Sequence, residues 1–337
     1  MTKKNITIIF VLLALISRSQ TIEILQTGTK TSLRGLSVVN DKIIWVSGSN
    51  GMVGKSIDAG KTWQWINVKG FEKRDFRDIE AWDANTAIIM AIAEPAVILK
   101  TTDAGKNWKI TYENKAPGMF LDAMEFRDMK NGMVIGDPLK DKLFVATTND
   151  AGESWNEVAY ENLPKVDSGE ACFAASGTNI RLWSDTGKCM VSGGMRSRFF
   201  LNEKAIDIPI IQGSGTSGAN SVAVRYDKKN YPLPYFVIVG GDFSRDTIAY
   251  QNCIISNDGG NSWMPAKSPP KGYRSCVEFI DNKKMISCGT SGVDISNDSG
   301  INWQFIGKQG FHVCRKAKRG NAIFLAGSNG TIGKLRW

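Results

Sequence analysis

The sequence predicts an all-β fold, a single seven-bladed β-propeller of four-stranded antiparallel blades, its ring closed by the N-terminal strand. Three observations predict it. An eight-residue phrase, Ser/Thr-x-Asp-x-Gly-x-x-Trp, occurs five times in 337 residues. The phrase returns at a period of about 40 to 50 residues, which is the length of a propeller blade or solenoid unit. Between copies lie only short β-rich runs punctuated by Gly, Asn and Asp, with no helix-length period.

The copies are S-I-D-A-G-K-T-W (56–63), T-T-D-A-G-K-N-W (101–108), T-N-D-A-G-E-S-W (148–155), S-N-D-G-G-N-S-W (256–263) and S-N-D-S-G-I-N-W (296–303). Tryptophan-to-tryptophan spacings are 45, 47, 108 and 40 residues, so the long interval holds two periods with one phrase lost. Runs such as K-I-I-W-V-S-G, T-A-I-I-M-A-I-A and Y-F-V-I-V-G-G supply four short strands per repeat, which is a propeller blade and not a helical solenoid unit.

Each position of the phrase has a structural task in the turn between a blade's third and fourth strands. Asp58, Asp103, Asp150, Asp258 and Asp298 can accept backbone N–H groups inside the turn. Gly60, Gly105, Gly152, Gly260 and Gly300 supply a positive φ that other residues resist. Trp63, Trp108, Trp155, Trp263 and Trp303 open the outer strand and bury a large ring, with an indole N–H to place. A calcium-loop reading of the aspartates fails because one acceptor per loop cannot supply six to eight oxygens.

Inner strands are expected to start at Leu33, Phe76, Leu121, Gly177, Ala219, Tyr273 and Phe311, which makes seven blades. The C-terminal G-S-N-G-T-I-G-K-L echoes G-S-N-G-M-V-G-K-S (48–56) but stops where a fourth strand is due. Residues about 21–27, T-I-E-I-L-Q-T, have no blade of their own and are expected to pair beside residues about 331–336, removing an open sheet edge.

The first nineteen residues read as a secretory signal peptide. Lys3 and Lys4 precede an apolar run, Ile6 to Ile16, and small residues follow at Ser17 and Ser19; the run is too short to span a bilayer as a mature helix. The expected organisation is therefore a signal peptide at 1–19 and the propeller at 20–337, in the periplasm or secreted. The formal charge of +9 falls by the three cations Lys3, Lys4 and Arg18 if the leader is removed. The remaining positive charge favours acidic partners. No Lys/Arg block resembles a nucleic-acid tail, and no further stretch suits stable membrane insertion.

Six cysteines, Cys172, Cys189, Cys253, Cys276, Cys288 and Cys314, each sit in an apolar strand-like run, which favours buried free thiols. The one bridge the spacing invites is a cross-strand pair, Cys276 with Cys288, flanking the D-N-K-K turn. No Cys/His spacing supports a metal, and His312, the single histidine, cannot build a histidine zinc site. No G-x-S-x-G elbow accompanies it for a serine triad. Neither catalytic residues nor a cofactor are expected.

Propeller geometry places the phrase loops on one face and the interblade and second-to-third-strand loops on the other, around the channel mouth. At the mouth the inner-strand starts put Arg34, Arg77, Asp122, Thr178, Asn220, Arg274 and His312 in a ring. The longer second loops add Glu94, Asp137, Arg196, Arg198, Asp242 and Arg245. Of these, Arg34, Arg77, Asp137, Arg196, Arg198, Asp242, Arg274 and His312 are the candidate ligand-binding set. Guanidinium forks suit carboxylates; the competing reading is that each arginine is spent on a neighbouring acid.

The repeated phrase resembles the Asp-box, or BNR repeat, of sialidases, sortilin-like receptors and many secreted propellers. The order of blades, with G-E-A-C-F-A-A-S-G-T-N-I, Y-R-S-C-V-E-F and G-T-S-G-V-D-I-S-N-D-S-G, is most similar to photosystem II stability/assembly factor-like propellers and their non-photosynthetic bacterial relatives. That resemblance covers the mature chain and implies a monomeric, non-catalytic scaffold holding a protein or acidic ligand and aiding assembly of an envelope or membrane complex. The Asp-box itself is nearly silent on function. The alternative is a sialidase-like glycoside hydrolase acting on an anionic glycan, with Tyr273 and mouth acids as ingredients. Against it, the sialidase F/Y-R-I-P motif is absent, its nearest match being Phe76-Arg77-Asp78-Ile79, and sialidases resemble a six-bladed count.

Overall fold

Alternate residues of a propeller strand serve two different interfaces, and this explains why the apolar runs are continuous. In the computed structural model, which describes residues 20–184, 186–202 and 204–337, the strand Ala87–Ala91 is wholly buried. Ile88 and Met90 pack into the core shared with the next blade. Ala87, Ile89 and Ala91 pack into the core shared with the preceding one. A strand covered on both faces needs apolar side chains at every position.

Seven sheets surround the axis. Their inner strands are Leu33–Val38, Phe76–Ala81, Leu121–Phe126, Ile180–Leu182, Ser217–Tyr226, Cys276–Phe279 and Val313–Lys316. Each sheet is an antiparallel meander from the inner strand outward. The fourth blade reaches its short inner strand three residues after the expected start at Gly177. It replaces the Asp-box with a tight hairpin in which Leu201 pairs Lys204. The fifth sheet gains two outlying two-residue strands, Glu170–Ala171 and Gly193–Gly194, joined through Gly193 opposite Gly218. All six cysteines are free and buried, so the cross-strand bridge between Cys276 and Cys288 is not formed.

The five Asp-boxes share one hydrogen-bond pattern. In the first, the Ser56 hydroxyl donates to Asp58 Oδ1 at 2.8 Å and accepts from the Gly60 N–H at 2.9 Å. Asp58 Oδ1 also accepts from the Thr62 N–H at 2.9 Å, and Oδ2 from the Thr62 hydroxyl at 2.6 Å. Asp103, Asp150, Asp258 and Asp298 repeat these bonds with Asn107, Ser154, Ser262 and Asn302. The residue after each Asp, in the left-handed region, donates its N–H to the first turn of the same blade: Ala59 to Lys42, Ala104 to Asn85, Ala151 to Lys130, Gly259 to Pro234 and Ser299 to Lys283. The box thus ties together the two loops on one face of a blade.

The glycine has a second reason. Gly105 has φ +86, and a Cβ there would lie 2.6 Å from Ile66 Cδ1 of the preceding blade. The Trp63 and Trp303 indoles donate to the carbonyls of Gly60 and Gly300 at 3.1 and 2.8 Å. The indole nitrogens of Trp108, Trp155 and Trp263 are buried without a partner.

Ring closure is made by the N-terminal strand Thr21–Gln26, which pairs antiparallel with Ile332–Arg336, Thr21 opposite Arg336 and Gln26 opposite Ile332. Ile22 and Leu25 cover the core shared by the last and first blades. The signal-peptide expectation falls on residues 1–19, outside the described residues. Among those described, no helix is long and apolar enough to cross a membrane.

Two outcomes follow for stability. Removing residues 21–26 strips ladder hydrogen bonds contributing roughly 0.5–1.5 kcal/mol each and bares an edge strand. Melting should fall by about 10 °C or more, and an unchanged melting temperature would overturn the closure. The Asp-box carboxylates lie below the usual range, Asp58, Asp103, Asp150 and Asp258 at about 2, because hydrogen bonds from the turn hold the charged form. A depressed folded value means stability that is present above the unfolded value near 4 and lost as pH falls towards 2. Melting temperature should drop between pH 4 and 2, and less steeply in Asp150→Asn; identical slopes would remove the boxes from the acid transition.

Candidate functional site

The mouth face carries a cup of about 530 Å³. Inner-strand starts deliver Arg34, Arg77, Asp122, Asn220 and His312 to it; second loops deliver Asp137, Phe243 and Thr290; the interblade segments deliver Phe120, residues 171–175 and Tyr273. Strands two and one of a propeller end and begin on this face, so the Asp-boxes, in the third-to-fourth loops, lie opposite.

One side of the cup is cationic. Arg77 pairs with Asp75 at 2.8 Å and lies over the Phe120 ring, 5.8 Å from its centre. Arg34 donates from Nη1 to the Ala175 carbonyl at 3.3 Å and has no ion pair among the described residues. Burial and then the Arg77 charge push its pKa down. His312 Nε2 lies 3.1 Å from Ser32 Oγ and 3.0 Å from Ser328 Oγ. Burial, followed by the charges of Arg34 and Arg77, lowers its pKa to about 3, so the ring is neutral and adds no charge.

The opposite side is aromatic and acidic. Phe173, Phe243 and Tyr273 form an edge-to-face run with centroid separations of 6.0 and 6.3 Å. The Tyr273 hydroxyl donates to Asn220 Oδ1 at 2.9 Å. Asp122 is fully buried beside the Ala174 N–H, and neither of its oxygens makes a well-formed hydrogen bond. It neighbours Asp137, and the two carboxyls influence each other's ionisation. Burial, then the neighbouring Asp137, raises Asp122 well above the usual range; burial pushes Asp137 up to about 6. Asp137 also accepts from the Cys172 N–H at 3.1 Å.

Deeper along the inner strands the channel is filled by charge. Arg181 lies 3.4 Å from Glu278 and 3.8 Å from Glu125, and Arg315 lies 3.8 Å from Glu278. Asp78 accepts from the Ile79 and Met124 N–H groups at 2.8 Å each, and burial raises its pKa to about 7. Gly177, at φ +63, lets the backbone pass beside this carboxylate; a Cβ there would stand 2.2 Å from Asp78 Oδ2. The cup therefore has a floor and is not the end of an open pore.

Of the candidate binding residues, Arg34, Arg77, Asp137 and His312 line the cup, and the other four do not. Arg274 is wholly buried and forked onto the Asp294 carboxylate, with its remaining donors on Tyr273 O, Ser291 Oγ and Lys271 O. Its side chain turns into the blade because those acceptors lie there, and Tyr273 takes the place at the mouth. Arg198 is buried against Glu170, fixing the outlying strand of the fifth sheet. Arg196 is exposed and spent on Asp167 and Asp207. Asp242 caps the turn at Ser244 and pairs with Arg245 at 2.9 Å. Thr178 is buried, bonded to the Ser176 and Ser221 hydroxyls. Inner-strand starts and polar loops pointed to these residues, but neighbouring acids, hydroxyls and, for Asp242, Arg245 satisfied them. The aromatic wall was missed, although Phe173 and Tyr273 sit in the stretches that carry the family resemblance.

Comparison with known proteins agrees with that resemblance. Residues 15–122 match the family model of the photosynthesis system II assembly factor YCF48. This stretch includes the first two Asp-boxes. The solved structure of YCF48 bound to D1 peptide is similar at TM-score 0.64 and 15% identity, over 95% of this chain and 96% of that one. YCF48 from Cyanidioschyzon merolae is similar at TM-score 0.58 and 15% identity, over 94% and 99%. The Neurospora crassa Pan2 WD40 domain reaches TM-score 0.60 at 13% identity, over 90% of this chain and 89% of that one. These likenesses establish the propeller fold. No curated protein sequence matches the chain.

Arg34 and Arg274, at corresponding inner-strand starts, should separate in stability. Arg274→Ala leaves Asp294 buried and unpaired and should cost about 3–5 kcal/mol. Arg34→Ala removes a poorly solvated, unpaired cation and should melt at or above the wild-type temperature. A lower melting temperature for Arg34→Ala would make Arg34 a structural residue.

Proposed function

We propose that this chain is a non-catalytic binding propeller whose mouth cup holds an anionic segment of a client protein. The observation that carries this reading is Arg34: a cation in the cup wall without an ion pair among the described residues. Desolvating an unpaired charge is a standing cost, which a bound carboxylate would offset. Arg77 beside it offers further donors, and the Phe173–Phe243–Tyr273 wall suits an apolar side chain next to that carboxylate. The likeness in fold to YCF48, a structure of which holds a D1 peptide, supports a peptide as the ligand and assembly assistance as the role. The leader pattern at 1–19 supports an exported setting, periplasmic or secreted, and the chain would act there as a monomer. A hydrolase reading is less favoured, because the sialidase F/Y-R-I-P motif is absent, its nearest match being Phe76-Arg77-Asp78-Ile79.

Peptides with a free C-terminal carboxylate after an apolar residue, compared with their amides, test this by isothermal titration. Binding should require the carboxylate and fall at least tenfold in Arg34→Glu and Arg77→Glu with the fold intact; amides binding equally well would sink the proposal. The acid pair adds a pH dependence. A raised value means that Asp137 is neutral well below pH 6 and gains charge as pH rises through it. Affinity for the anionic peptide should therefore weaken several-fold from pH 5 to pH 8, and Asp137→Asn should flatten that slope. A rise in affinity over the same range would contradict the assignment.

A further inference from the structure

Three thiols far apart in sequence meet in the wall between the sixth and seventh blades. Cys276 and Cys288 are direct partners across the strands Cys276–Phe279 and Met285–Gly289. Cys314 stands on the adjoining inner strand, Val313–Lys316. Their sulfurs all lie within 4.8 Å of one another, with Cys314 Sγ 3.6 Å from Cys276 Sγ. All three residues are completely buried.

We propose that Cys276, Cys288 and Cys314 form a three-coordinate thiolate site for a single copper(I) ion. A metal–sulfur bond of about 2.3 Å places three sulfurs around one planar ion roughly 4.0 Å apart, close to the separation found. Thiolates select soft ions, and copper(I) accepts three sulfurs, whereas structural zinc takes four ligands. No carboxylate or imidazole joins the three thiols in a metal-sized group among the described residues.

The surroundings suit thiolate. The Cys314 N–H donates to Cys276 Sγ at 3.4 Å, the kind of outer-shell hydrogen bond that steadies a metal-bound sulfur. Binding replaces three S–H bonds by three Cu–S bonds and releases the protons to solvent, with no change in oxidation state. The complex is anionic, and the neighbouring Arg315 and Arg274, each already paired with a carboxylate, moderate that charge only in part. With no exposed sulfur, the ion must enter as the chain folds or as the neighbouring blade seam opens.

The test is refolding of the full chain under reducing, oxygen-free conditions with copper(I) or zinc(II), followed by desalting, elemental analysis and X-ray absorption. One equivalent of copper with three sulfur neighbours is expected, and a protein that melts higher than the metal-free form. Cys288→Ser should retain less than a tenth of that copper, while Cys253→Ser, a buried thiol in another core, retains it all. The absorption spectrum of the wild type needs no variant, so the proposal stays testable if Cys288→Ser misfolds. Natively folded wild type without copper, zinc retained in its place, equal loading of Cys288→Ser, or a Cys276–Cys314 disulfide in protein purified under reductant would each overturn it.

Discussion

The structure depends on one constraint: every blade must bury both faces, and a sheet can do so only between two neighbours. The cores are accordingly shared and not owned. Ile88 and Met90 of the second blade belong to the core with the third, while Ala87 and Ile89 belong to the core with the first. An open ring would leave the first and last blades each with a bare face and a free edge. The chain resolves this by sending its first strand to its last sheet, where Ile22 and Leu25 complete the core containing Phe311, Phe324 and Leu335.

Within that ring the Asp-box is a local device for a global need. Its carboxylate closes the turn on itself, the left-handed residue after it clips the turn to the blade's first loop, and its glycine lets the turn abut the preceding blade. Where the fourth blade lacks the box, a tight hairpin does the turning, and irregular strands from its second loop and the segment before it are recruited to the fifth sheet. The exception shows that the box is one solution to the corner among others, and that a blade can be recognised without it.

The mouth follows a different economy. Deep in the channel, Arg181, Arg315, Glu125 and Glu278 are paired across blades, because charges removed from water demand partners. At the rim, Arg274 and Arg198 obey the same rule and become structural. Arg34 breaks it, and Asp122 bends it as a fully buried carboxyl beside a second one, Asp137. Departures from local satisfaction concentrate at functional sites, and here both departures share one cup.

By itself the sequence determined what depends on local chemistry repeated along the chain. The Asp, Gly and Trp of each box lie within eight residues and specify one turn, so their period was readable as blades, and the orphan strand at 21–26 was readable as the missing seventh edge. Arg34, Arg77, Asp137 and His312 were legible as mouth residues because topology sends inner-strand starts and second loops to one face. What the sequence could not decide was which arginine finds an acceptor: Arg34 and Arg274 occupy equivalent starts, and only packing puts one in an ion pair with Asp294 and leaves the other without an ion pair among the described residues. The same holds for Cys276, Cys288 and Cys314, whose spacing resembles no metal motif. Their sulfurs converge because adjacent inner strands of neighbouring blades lie side by side, a proximity set by closure of the ring and written nowhere in the local sequence.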